Sequence, residues 1–293
     1  MNFDGWGAQR WAIHLSQLLN AVNPPDRHRF NIADFAKEIS SKLFPDDPIA
    51  EVRSVDLQDC EGALLPSESR KRWGIYVNQN GSPRRRRFTA AHELGHYLIH
   101  RRKYPDGLRC DEAAVDGRNG VEIEREANDF ASSLLMPLDD FRRRISAKAE
   151  ANFDQLSECA THYDVSLVAA ILRWLRYTER RAMIVVSRDG YMNWAWSSDP
   201  ALKSGRFFRT SKSPVEVPTL SLVGQSIFTE EARAGASLPE GVWFNEPVKE
   251  MTLRAERYDL NYTLLHFANA TPAYHRSEPD EPDTYDGFTR FGS

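Results

Sequence analysis

The chain has 293 residues and a formal net charge of −4, with 41% hydrophobic and 27% charged residues. Single hydrophobic cores stop growing near this length, so we expect two or three modules. The sequence contains no apolar run of about 18 residues, and its first residues lack the basic and apolar regions of a secretory signal. Its three cysteines form no CxxC pair, which argues against a disulfide framework and a thiolate zinc site. These features exclude a membrane-spanning role and favour a cytoplasmic protein.

Residues 1–55 predict an N-terminal helical segment. Apolar side chains recur there at helical spacing on two stripes, and the helix-breaking NPPD at 23–26 separates them. Such a segment buries its stripes against a neighbouring module. The stripe residues are Trp11, Leu15, Leu18 and Leu19 in the first helix and Ile32, Phe35, Ala36 and Ile39 in the second.

Two short strands and a long helix follow. The runs EGALL (61–65) and WGIYVN (73–78) are typical of strands, and NQNGSP then turns the chain. Ser82 and Pro83 suit the N-cap and the first position of a helix that extends to about Arg102. The sequence therefore predicts that FTAAHELGHYLIH lies on a helix.

Three further helices are predicted before residue 180. A polar, glycine-bearing loop over 104–120 precedes VEIEREANDFASSLLMP, whose apolar residues recur at helical spacing until Pro137. Two shorter helices over 153–177 then have the rhythm of a helix-turn-helix. We expect Arg173 and Arg176 on the exposed side of the second one.

Beyond residue 180 the pattern changes to strands. The runs AMIVVS and YMNWAW flank RDG, a hairpin turn, and EMTLRAE alternates apolar and polar residues before YTLLHFA. The acidic, proline-bearing SEPDEPDTYDG predicts a disordered tail. We therefore expect an α+β protein with five parts: an N-terminal helical segment (1–55), a core (56–150), a helix-turn-helix-like segment (151–180), a β-rich module (181–270) and an acidic tail (271–293).

The run HELGH contains two histidines four residues apart. On a helix these positions lie about 6 Å apart on one face, so His92 and His96 can present two imidazole nitrogens to one metal ion. Glu93 projects about 100° around the helix from His92, where it is poorly placed as a ligand but can reach a water held by the ion. That is the position of a general base. Gly95 leaves room beside His96 for another backbone to approach.

The next helix offers a third ligand among three glutamates. At about 100° per residue, Glu122 and Glu126 share a polar face with Asp129 and Ser133, and we expect that face in water. Glu124 points about 160° away from Glu126. There it flanks the apolar stripe, where a buried carboxylate needs a partner such as a metal. The geometry therefore favours Glu124 over Glu126 as the third ligand.

Four other polar residues are candidates for supporting roles. Asn128 lies one turn beyond Glu124 and could hydrogen-bond the free nitrogen of a ligating histidine, although a satisfied half-buried amide is an equal alternative. Tyr97, His100 and Tyr104 are candidates for contacts to a substrate or an oxyanion, and the sequence does not choose among them and a residue of the C-terminal module. For His100 we favour the alternative of an ordinary helix surface.

The runs RFTAAHELGHYLIH and EREANDFASSLLMP together resemble the ImmA/IrrE family of bacterial metallo-endopeptidases. The family pattern is H-E-x-x-H followed by E-x-E-A-x-x-F-A-x-x-L-L-M-P, and the likeness covers about Asp56 to Leu175. The resemblance implies a zincin-like protease domain of the gluzincin type, in which His92, His96 and Glu124 hold one zinc ion per chain. It also implies that Glu93 activates the attacking water.

The resemblance further implies a protein substrate. Family members cleave or antagonise helix-turn-helix repressors of the Xre type, which derepresses stress-response or mobile-element genes. In some relatives a GAF-like sensor domain follows the protease, and the resemblance implies that the β-rich module could be its counterpart. Two alternatives stay open: a DNA-binding regulator that uses the segment 151–180, and a regulator that keeps zinc and sequesters a repressor without cutting it.

Overall fold

The structure is a computed structural model that describes residues 3, 5–24, 26–58, 60–69, 71–109 and 118–269. The predicted acidic tail and Cys110 lie outside these described residues. The chain divides into two compact units, the first comprising residues up to Asp140 together with Tyr163–Ser166, and the second comprising Phe141–His162 and the residues from Leu167 on. None of the described helices combines the length and the apolar character needed to cross a membrane. The α+β class is confirmed.

The first unit contains four helices and four strands within the described residues. Ser82 caps the third helix by accepting a hydrogen bond from the Arg85 amide at 3.2 Å, and Pro83 follows it, as predicted. The elements are α1 (Ala8–Val22), α2 (Ile32–Leu43), β1 (Ile49–Val55), β2 (Gly62–Pro66), β3 (Trp73–Asn78), α3 (Pro83–Ile99), β4 (Leu108–Arg109) and α4 (Arg118–Leu135). A short helix, α5 (Leu138–Arg144), continues across the boundary between the units.

The sheet of the first unit has the strand order β1-β3-β2-β4. Strand β1 runs parallel to β3, and β2 is antiparallel to both β3 and β4. The prediction that residues 1–55 are helical is therefore wrong over Ile49–Val55. The tertiary pairing of that run with β3, for example Val52 opposite Ile75, outweighs the helical rhythm of the residues before it.

Helix α3 is the central element of the first unit. Every residue from Thr89 to Leu98 is buried, because α1, α2 and α4 pack against the helix together with strands β2 and β3. In α1 the buried side chains include Trp11 and Leu15, whereas Leu18, which we placed on the apolar stripe, is 39% exposed. A helix that is buried on all sides must satisfy its polar side chains internally. The polar residues of HELGH are therefore interior groups.

The second unit is built on a six-stranded antiparallel sheet with the order β7-β6-β5-β10-β9-β8. The predicted hairpin turn is present: Asp189 and Gly190 both have positive φ, as a two-residue turn of this kind requires. The last strand lies in the middle of the sheet, between β5 and β9. The remaining elements are α6 (Phe153–Tyr163), α7 (Leu167–Leu175), β5 (Ala182–Arg188), β6 (Tyr191–Ser197), α8 (Asp199–Lys203), β7 (Val215–Glu216), α9 (Glu230–Ala234), β8 (Ala236–Leu238), β9 (Val248–Ala255) and β10 (Leu260–Phe267).

Helices α6 and α7 form the segment predicted to resemble a helix-turn-helix. Asp164, in the connection between them, adopts the left-handed conformation with φ of 51°. Arg173 is only 6% exposed, so the prediction that its side chain faces solvent is wrong. Arg176 is exposed as predicted. Because a recognition helix presents its basic side chains to the phosphates and bases of DNA, the burial of Arg173 argues against DNA binding by this segment.

We expect a buried histidine in β10 to make the second unit less stable at acid pH. His266 is 3% exposed, and its Nε2–H donates a hydrogen bond to the Ala151 carbonyl at 2.9 Å. Burial lowers the pKa of His266 to about 4, and the Glu150 carboxylate opposes this only in part. Lys249 and Arg180 also face the ring, and their charges lower the pKa further.

We expect His266→Gln to reduce the loss of stability at acid pH. The unfolded chain protonates this histidine near pH 6.5, whereas the folded protein does so near pH 4. Its contribution to stability is therefore present above pH 6.5 and declines as the pH falls towards 4, by at most about 3 kcal/mol. Glutamine keeps a donor for Ala151 but does not titrate. Urea unfolding at pH 7, 5.5 and 4.5 measures the difference, and an equally steep decline in the variant would contradict the prediction.

Candidate metal centre

Three side chains from two helices converge at one point in the first unit. Helix α3 supplies His92 and His96, and α4 supplies Glu124. The two Nε2 atoms lie 2.9 Å apart. The Glu124 carboxylate lies 3.1 Å from Nε2 of His92 through Oε2 and 3.2 Å from Nε2 of His96 through Oε1. Among the described residues these three form a group able to hold a metal ion.

The distances among these three residues fit a small divalent cation. In a tetrahedral zinc site with bonds of 2.0–2.1 Å, neighbouring ligand atoms lie about 3.3 Å apart. The observed separations of 2.9, 3.1 and 3.2 Å are slightly shorter than that edge. Oε1 of Glu124 is also buried without a well-formed hydrogen bond among the described residues. A buried carboxylate oxygen aimed at two imidazole nitrogens is the arrangement expected of a ligand set.

Gly95 is the residue that lets the two helices approach. A Cβ atom at this position would lie 2.9 Å from Cδ1 of Phe130 and 3.3 Å from the Cα atom of Ala127, both in α4. Any other residue would therefore push α4 away from α3. Because Glu124 lies three residues before Ala127 and six before Phe130 on the same helix, the close crossing at Gly95 brings its carboxylate to the histidines.

The ring nitrogens that face away from this point also have partners. Nδ1 of His92 lies 3.1 Å from Oδ1 of Asn128 in α4, which is half-buried. Nδ1 of His96 lies 3.0 Å from Nδ1 of His100. A histidine that binds a metal through Nε2 carries its proton on Nδ1 and needs an acceptor there. Asn128, which we proposed for this role from sequence, occupies the required place beside His92.

The protonation states of His92, His96 and Glu124 depend on one another. Burial disfavours the charged form of His92, but the Glu124 carboxylate outweighs it and raises the pKa of His92 above 6.5. Burial lowers the pKa of His96 to about 4. Burial alone would raise the pKa of the Glu124 carboxyl, but the two histidines, His92 foremost, lower it well below its usual range. At neutral pH, Glu124 therefore presents a carboxylate, and His96 an uncharged imidazole able to bind a cation.

Glu93 lies beside the metal centre on the side of strand β2. Its side chain is 1% exposed, and its negative charge helps to raise the pKa of His92. A Cβ atom at Gly62 of β2 would lie 2.6 Å from Oε1 of Glu93 and 2.5 Å from Cγ2 of Thr89. The absence of a side chain at Gly62 therefore leaves the space that the Glu93 carboxylate occupies. Sequence reasoning did not assign this role to Gly62, although the glycine could be seen at the start of a predicted strand.

The three candidates for contacts to a substrate or an oxyanion lie in different surroundings. Tyr97 is fully buried and its hydroxyl donates to the Asp47 carbonyl at 3.0 Å, so it packs in the core and does not face the site. His100 is 3% exposed, so the expected helix surface is wrong, and both its ring nitrogens are engaged by protein groups. Tyr104 is partly exposed and packs against Leu108 and Ile123. Its role as a contact stays a prediction.

The polar face predicted on α4 differs in part from the structure. Glu122 is exposed, as expected. Glu126 has a side chain 39% exposed, and its Oε2 accepts a hydrogen bond from Nε2 of His100 at 2.9 Å. Ser133 is 8% exposed, so this end of the face is buried. Helical angles within α4 predict that Glu126 faces water, because they contain no information about the position of α3. In the structure, His100 at the C-terminal end of α3 faces Glu126.

Comparisons with known proteins agree with this geometry. No curated protein is similar enough to the chain to count as a match. A solved structure titled as a Mycobacterium tuberculosis transcriptional regulator covers 87% of this chain and 76% of its own, with 14% identity and a TM-score of 0.50, which shows a similarity of fold. Residues 47–175 match the family model of the IrrE N-terminal-like domain, Peptidase_M78. This span, somewhat less than half of the chain, contains both halves of the candidate metal centre and supports the resemblance to the ImmA/IrrE family.

Proposed function

We propose that the chain is a zinc-dependent endopeptidase of the gluzincin type. The observation that carries this proposal is the convergence of His92, His96 and Glu124 at hydrogen-bonding separations. Two imidazoles and one glutamate are a ligand set of catalytic zinc sites, which leave a further position for water. A zinc ion held here, one per chain, would lower the pKa of a bound water towards about 7 and polarise the scissile carbonyl.

The residues around this ligand set supply the remaining functions of a peptidase. Glu93 accepts the proton of the attacking water on its carboxylate and returns it to the leaving amine. Its confinement between α3 and Gly62 restricts the positions that the carboxylate can take. Oδ1 of Asn128 accepts a hydrogen bond from Nδ1–H of His92, which leaves the Nε2 lone pair of His92 free to bind the ion.

For the substrate we propose a helix-turn-helix repressor of the Xre type, whose removal would derepress stress-response or mobile-element genes. Two observations support this class. Residues 47–175 match the IrrE N-terminal-like domain, and the similar solved structure is titled as a transcriptional regulator. The six-stranded antiparallel sheet of the second unit is consistent with a GAF-like sensor, which we propose as its role. Cleavage in the cytoplasm would then respond to a signal received there.

A cleavage assay tests the proposed function. The purified protein, loaded with zinc, is incubated with a helix-turn-helix regulator encoded beside it, with and without a chelator. We expect discrete fragments of the regulator that disappear when the chelator removes the metal. Binding of the intact regulator without fragments would contradict the proposal and would favour sequestration.

A further inference from the structure

A chain of hydrogen bonds leads outward from His96 to the end of α3 and on to α4. Nδ1 of His96 lies 3.0 Å from Nδ1 of His100, and Nε2 of His100 lies 2.9 Å from Oε2 of Glu126. His96 and His100 are buried, and the Glu126 side chain is partly exposed. We propose that His100 and Glu126 are positioning residues that fix the tautomer and the orientation of His96. This proposal rests on the proposed zinc site.

The direction of every hydrogen bond in this chain follows from the position of the ion. If Nε2 of His96 binds a cation, the ring proton must lie on Nδ1. That N–H then donates to Nδ1 of His100, which must carry a lone pair. The proton of a neutral His100 consequently lies on Nε2, where it donates to the Glu126 carboxylate, an acceptor only. The arrangement is a carboxylate–histidine–histidine chain that points a single lone pair at the metal centre.

The geometry of His100 favours this role over that of an ordinary core residue. A histidine buried only for packing requires two partners of any kind, such as backbone groups. Both partners of His100 are instead side chains of the site: a proposed zinc ligand and a carboxylate two residues beyond Glu124. Its position as the C-cap residue of α3 holds the ring at the end of the helix that faces α4.

The two histidine ligands are therefore supported differently. His92 donates to the neutral amide of Asn128, whereas His96 donates to an imidazole that a carboxylate polarises. A carboxylate behind a ligating histidine raises the basicity of that ligand, and removing such a group typically weakens metal binding by roughly 10- to 100-fold. We expect the loss of His100 to weaken zinc binding by an amount in this range.

Paired substitutions at His100 test the proposal. His100→Leu removes both hydrogen bonds, whereas His100→Gln keeps an acceptor for His96 and a donor for Glu126. We expect zinc affinity, measured by competition with a chromophoric chelator, to fall roughly 10- to 100-fold in His100→Leu and to recover most of that loss in His100→Gln. In the zinc-loaded wild type, nitrogen NMR of the rings should show His96 protonated on Nδ1 and His100 on Nε2.

A second position keeps the test valid if His100→Leu does not fold. Glu126→Leu replaces a partly exposed side chain and should weaken zinc binding, while Glu122→Leu, at an exposed position of the same helix, should not. Wild-type affinity in His100→Leu and Glu126→Leu, or no recovery in His100→Gln, would overturn the positioning role while leaving the zinc site intact. A wild-type protein that binds no zinc would overturn the proposed function, and the positioning role with it.

Discussion

Removal of either half of the ligand set is expected to abolish stable zinc binding. Wild-type protein should hold about one zinc ion per chain, and His92→Ala or Glu124→Ala should lose most of it. The reason is geometric: the three donors lie at 2.9 to 3.2 Å from one another, so each occupies a position that no other described residue fills. Metal analysis of dialysed protein gives the stoichiometry.

The same substitutions should remove the stabilisation that zinc gives the fold. A ligand present at 100 times its Kd stabilises the folded protein by about 2.7 kcal/mol. Wild type should gain stability of this order on adding zinc, and Glu124→Gln, which keeps the shape of the side chain, should gain much less. Glu122→Gln makes the same chemical change at an exposed position two residues earlier and should behave as wild type. Full zinc occupancy in both His92→Ala and Glu124→Ala would show that the ligand assignment is wrong.

The local patterns of the sequence predicted those features of the site that depend on a single helix. The four-residue spacing placed His92 and His96 on one face, and the 100° rotation per residue distinguished Glu124 from Glu122. The structure brings Glu124 to the two histidines and leaves Glu122 exposed. In both cases the direction of a side chain is determined within one or two turns of a single helix, which the helical periodicity of the sequence predicts.

The features that sequence reasoning missed depend on contacts between distant segments. Residues 49–55 became a strand because they pair with β3, and β10 lies between β5 and β9 although it ends the described chain. His100 was placed on the surface because the rhythm of α3 does not show that α4 covers the end of that helix. Pairings of this kind are set by tertiary structure, and local propensity carries little information about them.

Gly62 shows how a distant residue can define the space available to a proposed general base. Its backbone belongs to β2, which the sheet places against α3, and the missing side chain leaves room for the Glu93 carboxylate. Helical geometry predicted that Glu93 would reach a water on the ion, but it did not predict what would confine the carboxylate. Strand β2, together with α3, therefore limits the positions of the Glu93 carboxylate, the expected general base.

Glu93→Gln should separate metal binding from catalysis. The amide has the shape of the carboxylate and fits the same space beside Gly62, but it cannot accept a proton from water at neutral pH. We expect the variant to retain about one zinc per chain and to cleave the proposed repressor substrate roughly 10²- to 10⁴-fold more slowly, the usual contribution of a general base. Single-turnover cleavage with zinc-loaded wild type, Glu93→Gln and the control Glu122→Gln measures the effect.

The outcome of that experiment distinguishes the roles of Glu93 and its neighbours. Loss of zinc in Glu93→Gln would mean that Glu93 supports the ligand set, since His92 is the adjacent residue and feels its charge. Retention of zinc with cleavage as fast as wild type would show that the proton is accepted elsewhere. Because Glu93 is buried and confined, retention of zinc with slow cleavage would assign the proton transfer to this carboxylate.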